Sequence, residues 1–535
     1  MTPTKAPAEY QRLRDAGYVR SAGIMLSQID LLVAVWDGRR EEGVAGTAHV
    51  VRGAVEAAIP VVWISTLEDS FARMVEDLED DGRPVAPDAD CLGGSLSEAL
   101  SRVVSMPAES VLTRSARHAP TAPQAMDALR DFFSEEWPKP SRWVTYDLFK
   151  RRVERKALRL AIHPEPLSSY GEPWQAFLQE APVAGPLSVR IAEILLPRYA
   201  WADALAVDYA HRYRSAYFNA FLLAALTVSV ALVGVFVHQF FATLLDQLAF
   251  KAILVLVELF LIRWIYKIVT TGQRARWRER WVEYRALAEL LWSARFLAYF
   301  GQYGRVQRGG GDLESTTDWF LWYLRATLRE LGLPDAVLDG TYQRAHLVAV
   351  EKHVIAAQLK YHRDNAKTLE RMHHGLHQVG YGLFAATYVM LILFLLGGVC
   401  FAVWMRIEGI SWQIFGLEGV LASTGQVSRP HGAIENQGAW LVYAMSSITF
   451  LAAFLPMLGA VLGGIRESGD FDRFSARSDK TADALQELAA EVAHAKSKLR
   501  LETTLDVLFS TAQVLTDDLA AWQAVYGRKR LDLPA

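Results

Sequence analysis

Three small residues near the N-terminus have the types and spacing to bind a phosphate group. Gly43, Gly46 and Thr47 lie between an apolar, β-branched run and a helix-like pattern, where a predicted strand leads into a predicted helix. Backbone N–H groups and the positive end of the helix dipole can hold an anion at such a point. The same glycines are equally explained by the tight turn that joins the strand to the helix. Phosphate binding and a purely structural turn therefore both remain as interpretations.

A carboxylate within a long apolar stretch is the second candidate. Glu258 lies about 12 Å along the predicted helix from Phe250, near the middle of a bilayer. Arg263 lies on another face of that helix and is close enough to the cytoplasmic end for its guanidinium to reach water. Glu258 is then either protonated and hydrogen-bonded inside a dry bundle, or exposed to water in a pore built from several subunits. We favour the pore, because ionisable residues inside membranes are usually functional.

Other residues capable of chemistry lack the partners that a catalytic or metal site needs. His373 and His377 share one helix face, but no HExxH motif or third ligand accompanies them, which favours a solvated histidine cluster. Cys91 and Cys400 have no CxxC spacing. No GxxxxGK[ST] loop, GxSxG elbow or kinase signature occurs in the sequence. We therefore predict a protein that is not an enzyme and has no metal ion or cofactor.

The composition indicates a membrane protein. Of the 535 residues, 52% are hydrophobic, and the mean hydropathy of +0.11 is high for a soluble chain with this many charges. The formal net charge of −3 provides no basic field, so nucleic acid is not a predicted partner. The N-terminus lacks the apolar run of a signal peptide, so the first domain is expected in the cytoplasm.

Four apolar stretches are long enough to cross a bilayer as helices. They cover residues 217–237, 250–269, 379–403 and 440–465, arranged as two hairpins. Basic residues lie before the first and third stretches and after the second and fourth, which places both termini in the cytoplasm. Buried core helices of a soluble protein, the alternative, do not explain this alternation. The sequence thus predicts a multi-pass protein of the inner (plasma) membrane, in contact with the lipid bilayer.

The cytoplasmic segments fall into an α/β part and a helical part. Residues 30–67 contain two β-branched runs separated by a helical pattern, which predicts a βαβ unit. Before the first apolar stretch, a helical pattern is predicted to run directly into it. After the second apolar stretch, one helix face carries the aromatic stripe Trp277, Trp281, Tyr284 and Ala288, which predicts packing, with a stacking platform for a nucleobase as the alternative. On another face of that helix, Arg285 and Glu289 have the spacing of four that predicts an ion pair. Near the C-terminus, a helical pattern spaces Leu485, Leu488 and Val492 as core residues, which predicts that they are buried.

The predicted βαβ segment, DLLVAVWDGRREEGVAGTAHVVRGAVEAAIPVVWIS, resembles the C-terminal half of SLOG domains, which are Rossmann-like sensor modules. The resemblance implies that Asp37, Gly38, Gly46 and Thr47 belong to a loop that binds a nucleotide or nucleotide-derived ligand. The first strand of such domains, with its own glycine loop, has no counterpart before this segment. An incomplete domain is therefore expected.

Three further motifs resemble the SLATT family, the SMODS- and SLOG-associating two-transmembrane effectors of prokaryotic conflict systems. They are WVEYRALAELL, which includes Tyr284, Arg285, Ala288 and Glu289, then QLKYHRDN before the second hairpin, and DDLAAWQAVYGRKRLDLPA at the end of the sequence. The resemblance implies a pore-forming membrane effector controlled by a nucleotide sensor.

The expected fold class is a predominantly α-helical polytopic membrane protein, with four transmembrane helices in two hairpins, a small N-terminal α/β Rossmann-like domain and a cytoplasmic helical bundle. The predicted division is an incomplete α/β domain (1–83), a linker (84–123), cytoplasmic helices (124–214), the first hairpin with its cytoplasmic helix (215–300), more cytoplasmic helices (301–375), and the second hairpin with the C-terminal helices (376–535).

The predicted function is a membrane effector of a prokaryotic defence system, in which a homo-oligomer forms a pore that opens when the α/β domain senses a nucleotide-like signal. The alternative is a non-catalytic scaffold or oligomerisation protein at the membrane, whose sensor domain has lost its ligand. A third candidate is a membrane-bound nucleotide hydrolase similar to the LOG enzymes, to which SLOG domains are related. It is disfavoured because the ligand loop of this chain lacks some of the residues of those enzymes.

Overall fold

The computed structural model is mostly helical, with a small sheet region at its N-terminus. It describes residues 7–39, 46–57, 59–67, 72–75, 77–79, 83–85, 96–98, 100, 122–182, 185–237, 244–302, 319–407, 434–526 and 531.

The N-terminal region contains the predicted βαβ unit. Its elements are helix α1 (Pro7–Gln28), strand β1 (Leu32–Trp36), helix α2 (Thr47–Glu56) and strand β2 (Val61–Ser65). Strands β1 and β2 pair in parallel, with Leu32 opposite Val61, and α2 provides the crossover between them. The inward residues of both strands and of α2 form a small core around Val51 and Ala54. The prediction of a βαβ unit is confirmed.

The sheet does not extend this unit into a larger parallel sheet. Strand β3 (Ala72–Val75) pairs antiparallel with β2, which gives the order β1-β2-β3, and β4 (Asp77–Leu78) pairs with β5 (Pro84–Val85) in a separate two-stranded ribbon. A Rossmann fold needs further parallel strands on both sides of the crossover. The Rossmann-like classification therefore remains a prediction.

The rest of the described chain is helical. The helices are α3 (Ala122–Ser134), α4 (Thr145–Val153), α5 (Leu167–Glu180), α6 (Pro186–Val237), α7 (Leu244–Arg274), α8 (Trp277–Leu297), α9 (Trp319–Leu331), α10 (residues 340–407), α11 (Ile434–Gly469), α12 (Phe471–Ser497) and α13 (Leu501–Tyr526). A 3₁₀ turn, Ala298–Phe300, follows α8.

Two of the long helices contain a π turn. In α6 it covers Ile191–Leu195, and in α10 it covers Glu351–Ile355, between the α-helical parts Gly340–Val350 and Ala356–Ile407. The backbone N–H that follows each turn donates to the carbonyl five residues earlier. Both helices continue from the turn into apolar stretches, as predicted for the segment before residue 217.

A single large core holds the helices together outside their apolar stretches. The predicted aromatic stripe of α8 is buried in it, because Trp277, Trp281, Tyr284 and Ala288 are at most 5% exposed. Leu485, Leu488 and Val492 of α12 are buried in the same core. The packing interpretation of both patterns is confirmed.

Three helices in the described part of the chain are long and apolar enough to cross a membrane, those within Pro186–Val237, Gly340–Cys400 and Ser447–Ser497. Only 11%, 6% and 11% of their apolar windows are buried inside the chain, so these windows are not the core of a soluble protein. This exposure indicates a membrane protein. α7, with the predicted span 250–269, is not among the three, because Lys251, Glu258, Arg263 and Lys267 interrupt its apolar run.

The apolar parts of four helices pack as a row. α7 packs on α6, α6 on α11 and α11 on α10, so that α7 and α10 lie at the two ends. Glycines of α11 allow the close crossings: a Cβ on Gly459 would lie 3.0 Å from the Phe384 ring, and one on Gly464 would lie 2.4 Å from the Phe221 ring. The helices of each predicted hairpin therefore pack against each other, and the four-span arrangement remains a prediction.

Candidate functional site

The turn after β1 is shaped by a glycine and a tryptophan. Gly38 has φ +71°, and a Cβ at this position would lie 2.9 Å from the ring of Trp63 in β2. The Trp63 ring is held in place by its Nε1, which donates a 2.9 Å hydrogen bond to the Trp36 carbonyl. Gly38 thus has a structural reason to be glycine, whatever the turn binds.

The other residue of this turn, Asp37, is partly engaged inside the turn itself. Its carboxylate accepts a 3.1 Å hydrogen bond from the Arg39 backbone N–H and lies 3.7 Å from the Arg39 Nε. The side chain is still 36% exposed. A ligand would reach it without any rearrangement of the strand.

The start of α2 is an open surface. Gly46 has extended backbone angles and precedes the first helical residue, Thr47, and no side chain caps the helix there. A Cβ on Gly46 would meet nothing within 4 Å, and both residues are exposed. The N–H groups of the first turn are therefore accessible to an anion. Gly43, the third predicted glycine, lies outside the described residues.

The two glycines of this region should respond differently to substitution. Gly46→Leu is expected to leave the melting temperature nearly unchanged while occupying the space beside the first turn of α2. Gly38→Leu should destabilise the α/β domain by about 1 to 3 kcal/mol, because it forces a side chain into positive φ and against Trp63. Thermal unfolding of both variants measures the difference, and equal melting temperatures would contradict it.

Polar contacts join the α/β region to the helical bundle. Asp30, just before β1, accepts from both Nε and Nη2 of Arg329 in α9, at 2.6 and 2.5 Å. Gln28 Nε2 donates to the Gly301 carbonyl, and Arg20 pairs with Glu502 of α13. A change in the conformation of the loops around β1 would therefore act directly on α9 and on the turn after α8.

A partly buried polar network lies in the bundle, around Glu135. This carboxylate accepts hydrogen bonds from the hydroxyls of Tyr209 (2.8 Å) and Tyr284 (3.0 Å) and from Arg280 Nη1 (2.8 Å). Burial raises the pKa of Tyr209 to about 12, so its hydroxyl stays protonated and donates. The network joins the end of α3 to α6 and α8. Sequence reasoning missed Glu135, because its partners lie more than seventy positions away along the chain.

A second ion pair of α8 could be predicted from its spacing in the sequence. Arg285 pairs with Glu289, four residues further on, as the sequence predicted, and also with Asp203 of α6 at 2.7 Å. Burial raises the pKa of Glu289, although Arg285 acts in the opposite direction. The pair therefore belongs to the interface between α6 and α8 rather than to the solvent-exposed face of α8.

Glu258 lies on the stripe of α7 that packs against α6. It is half-buried, and Leu261 and Ile265, one and two turns further along the stripe, are buried. Within the described residues, no hydrogen bond or ion pair of Glu258 is present. Arg263 is exposed on a different face of α7 and does not pair with it. The geometry thus separates these two candidates, as their spacing predicted.

Comparison with known proteins adds no family: no family model matches the chain, and neither a curated protein nor a solved structure does. The resemblances to SLOG domains and to the SLATT family rest on the motifs described above.

Proposed function

We propose that this chain is a membrane effector in which several copies assemble a pore, and that a nucleotide-like ligand at the α/β domain controls its opening. The row of four apolar helices carries the proposal. α7 and α10 each have one main partner in the row, and their outer faces carry exposed apolar side chains such as Ile253, Leu256, Leu393 and Leu395. Lipid or another copy of the chain would cover these faces.

The charged residues of α7 favour assembly over exposure to lipid alone. Burying the Glu258 carboxylate in hydrocarbon costs free energy, whereas access to water at the edge of its half-buried stripe in an oligomer avoids most of this cost. Arg263, on a different face, is close enough to the predicted cytoplasmic end of α7 for its guanidinium to reach water. In this arrangement α7 is a fourth span, the protein is a multi-pass protein of the inner membrane, and both termini are cytoplasmic. The prokaryotic defence setting is supported by the motif resemblance.

Signal transfer is supported by the continuity of the helices. α6 and α10 run without a break from the cytoplasmic core into the apolar row, and the α/β region contacts α9 and α13 of that core. A ligand that favours one arrangement of the α/β region would therefore bias the arrangement of the membrane helices, provided that it binds the two arrangements with different affinity.

Glu258→Gln tests the pore. In reconstituted bilayers we expect the wild type to conduct cations and the variant to show altered cation selectivity or at least a several-fold lower conductance, because the substitution removes a ring of negative charge. Oligomer size on a sizing column should not change. Glu491→Gln, on the exposed surface of α12, is the matched control and should conduct like the wild type.

Identical conductance of Glu258→Gln and wild type would make the carboxylate structural. If wild-type protein assembles in the bilayer but never conducts, the pore hypothesis is wrong and a scaffold function takes its place.

A further inference from the structure

A cavity lies inside the cytoplasmic bundle, at the level where the helices enter the apolar row. Its volume is about 380 Å³, and its walls are formed by α4, α6, α8, α10, α12 and α13, with the end of α11 at one side. Tyr217, the first residue of the first predicted span, and Gly469, the last residue of α11, line its membrane side. A cavity of this size accommodates a small ligand or a lipid headgroup.

Cationic side chains from four different helices line this cavity. They are Lys150, Arg214, Arg285 and Arg477. Three carboxylates also face it, but each is already engaged. Asp203 and Glu289 both pair with Arg285, and Asp518 accepts from Arg477 Nε and Thr481 Oγ1, each at 3.0 Å. The three carboxylates therefore hold Arg285 and Arg477 in position.

Arg477 is only half satisfied by this arrangement. Its Nε is bound to Asp518, but its Nη1 and Nη2 are buried and have no hydrogen-bond partner among the described residues. Leaving buried charged donors without acceptors is costly, and a guanidinium offers these two nitrogens as a planar fork. The fork matches two oxygens of a phosphate group.

A second polar side chain of the cavity also has a buried nitrogen without a hydrogen-bond partner among the described residues. His362 of α10 is only 6% exposed, and its Nδ1 has no hydrogen-bond partner in the described part of the chain. Burial lowers the pKa of His362, which favours the neutral ring. A neutral imidazole can donate one hydrogen bond to a phosphate oxygen without adding charge.

Arg214 is held in position by aromatic rings. Its guanidinium carbon lies 4.7 Å from the centroid of Trp281 and 5.1 Å from that of Tyr146. Such stacking fixes the plane of the guanidinium. Both rings also line the cavity.

We propose that this cavity binds the phosphate group of a ligand, with Arg477, Arg214 and His362 as its donors. The site is separate from the loop around Gly46 and does not depend on it. Two sources carry such a group: a soluble phosphate ester, and an anionic phospholipid whose headgroup enters from the membrane side, where basic pockets between helices commonly bind such lipids. Through these donors a phosphate would contact three helices, α6, α10 and α12, which continue into, or pack beneath, the apolar row.

The test uses the full-length protein, purified in neutral detergent and stripped of lipid. Isothermal titration calorimetry with ADP and inorganic phosphate examines the soluble source, and titration with phosphatidylglycerol, against phosphatidylcholine, examines the lipid source. We expect at least one of ADP, phosphate and phosphatidylglycerol to bind. Arg477→Gln should weaken that binding by about ten- to a hundredfold, since it removes charge-assisted hydrogen bonds.

Two further variants separate binding from folding. Arg477→Lys keeps a cation beside Asp518 but lacks the fork, so it should fold normally and still bind about tenfold more weakly. Arg473→Gln, one turn away and 74% exposed, changes the net charge equally and should bind like the wild type. The proposal is overturned if none of these probes binds, or if Arg473→Gln weakens binding as much as Arg477→Gln does.

Discussion

Glu135→Ala is expected to lower the free energy of unfolding of the helical bundle by about 3 to 5 kcal/mol. The substitution removes the acceptor shared by Tyr209, Tyr284 and Arg280. Arg280 keeps its 2.8 Å ion pair with Asp131, but both tyrosine hydroxyls lose their acceptor in a buried site. Unmet hydrogen bonds at buried groups cost more than the same bonds contribute when made, which is why the loss should be large.

Thermal unfolding of the detergent-solubilised protein measures this loss, and we expect a melting temperature lower by about 6 °C or more. The adjacent residue provides the control. Glu136 is exposed and, among the described residues, pairs with Lys139 alone, so Glu136→Ala should melt close to the wild type. If the two variants melt together, the Glu135 network does not stabilise the bundle.

Arg295→Met is expected to act in the opposite direction and stabilise the protein by about 1 to 4 kcal/mol. Arg295 is fully buried, and its three guanidinium nitrogens have no hydrogen-bond partner among the described residues. It lies 3.7 Å from the Trp292 ring centroid and 4.5 Å from that of Phe177. These cation–π contacts offset only about 2 kcal/mol of the burial cost.

The protonation state supports this sign. Burial lowers the pKa of Arg295 to about 9, which still leaves the guanidinium charged at neutral pH, so the cost of burying a charge acts in full. Methionine fills a similar volume without charge. Since the folded pKa lies below that of the unfolded chain, the wild type should become relatively more stable only above pH 9.

Melting at pH 7 tests the substitution, with Arg274→Met on the exposed surface of α7 as a control that should shift stability by less than about 0.5 kcal/mol. A destabilised Arg295→Met would mean that the guanidinium has a partner, such as a bound anion, that outweighs its burial cost.

Patterns local in sequence predicted much of the fold. The βαβ unit followed from two β-branched runs, the apolar helices from hydropathy, and the Arg285–Glu289 pair from its spacing of four. Helix α1 was not predicted, because its apolar residues have no helical periodicity to mark a buried face. Glu258 and Arg263 lie on different faces of α7, as their spacing of five residues predicted. Whether Glu258 faces water depends on how other copies of the chain pack around α7.

Sites built from distant residues could not be predicted. The cavity that we propose as a phosphate site joins Arg214, His362 and Arg477, which are separated from one another by more than a hundred positions and share no motif. Each arginine by itself resembles the ordinary basic residues that flank a membrane helix. Only the packing of the helices around the cavity brings Arg214, His362 and Arg477 together. That packing cannot be predicted from the sequence of any single segment.

The π turns at Ile191–Leu195 and Glu351–Ile355 determine the helical phase of everything that follows them. A π turn holds one residue more than an α turn, which corresponds to a rotation of about 100° between the two sides. The cavity wall and the apolar surface of α6 are thus both set by one extra residue near its start, and those of α10 by another. Length changes of a single residue at these two places would re-aim whole helix faces, whereas the same changes in the connecting loops would not.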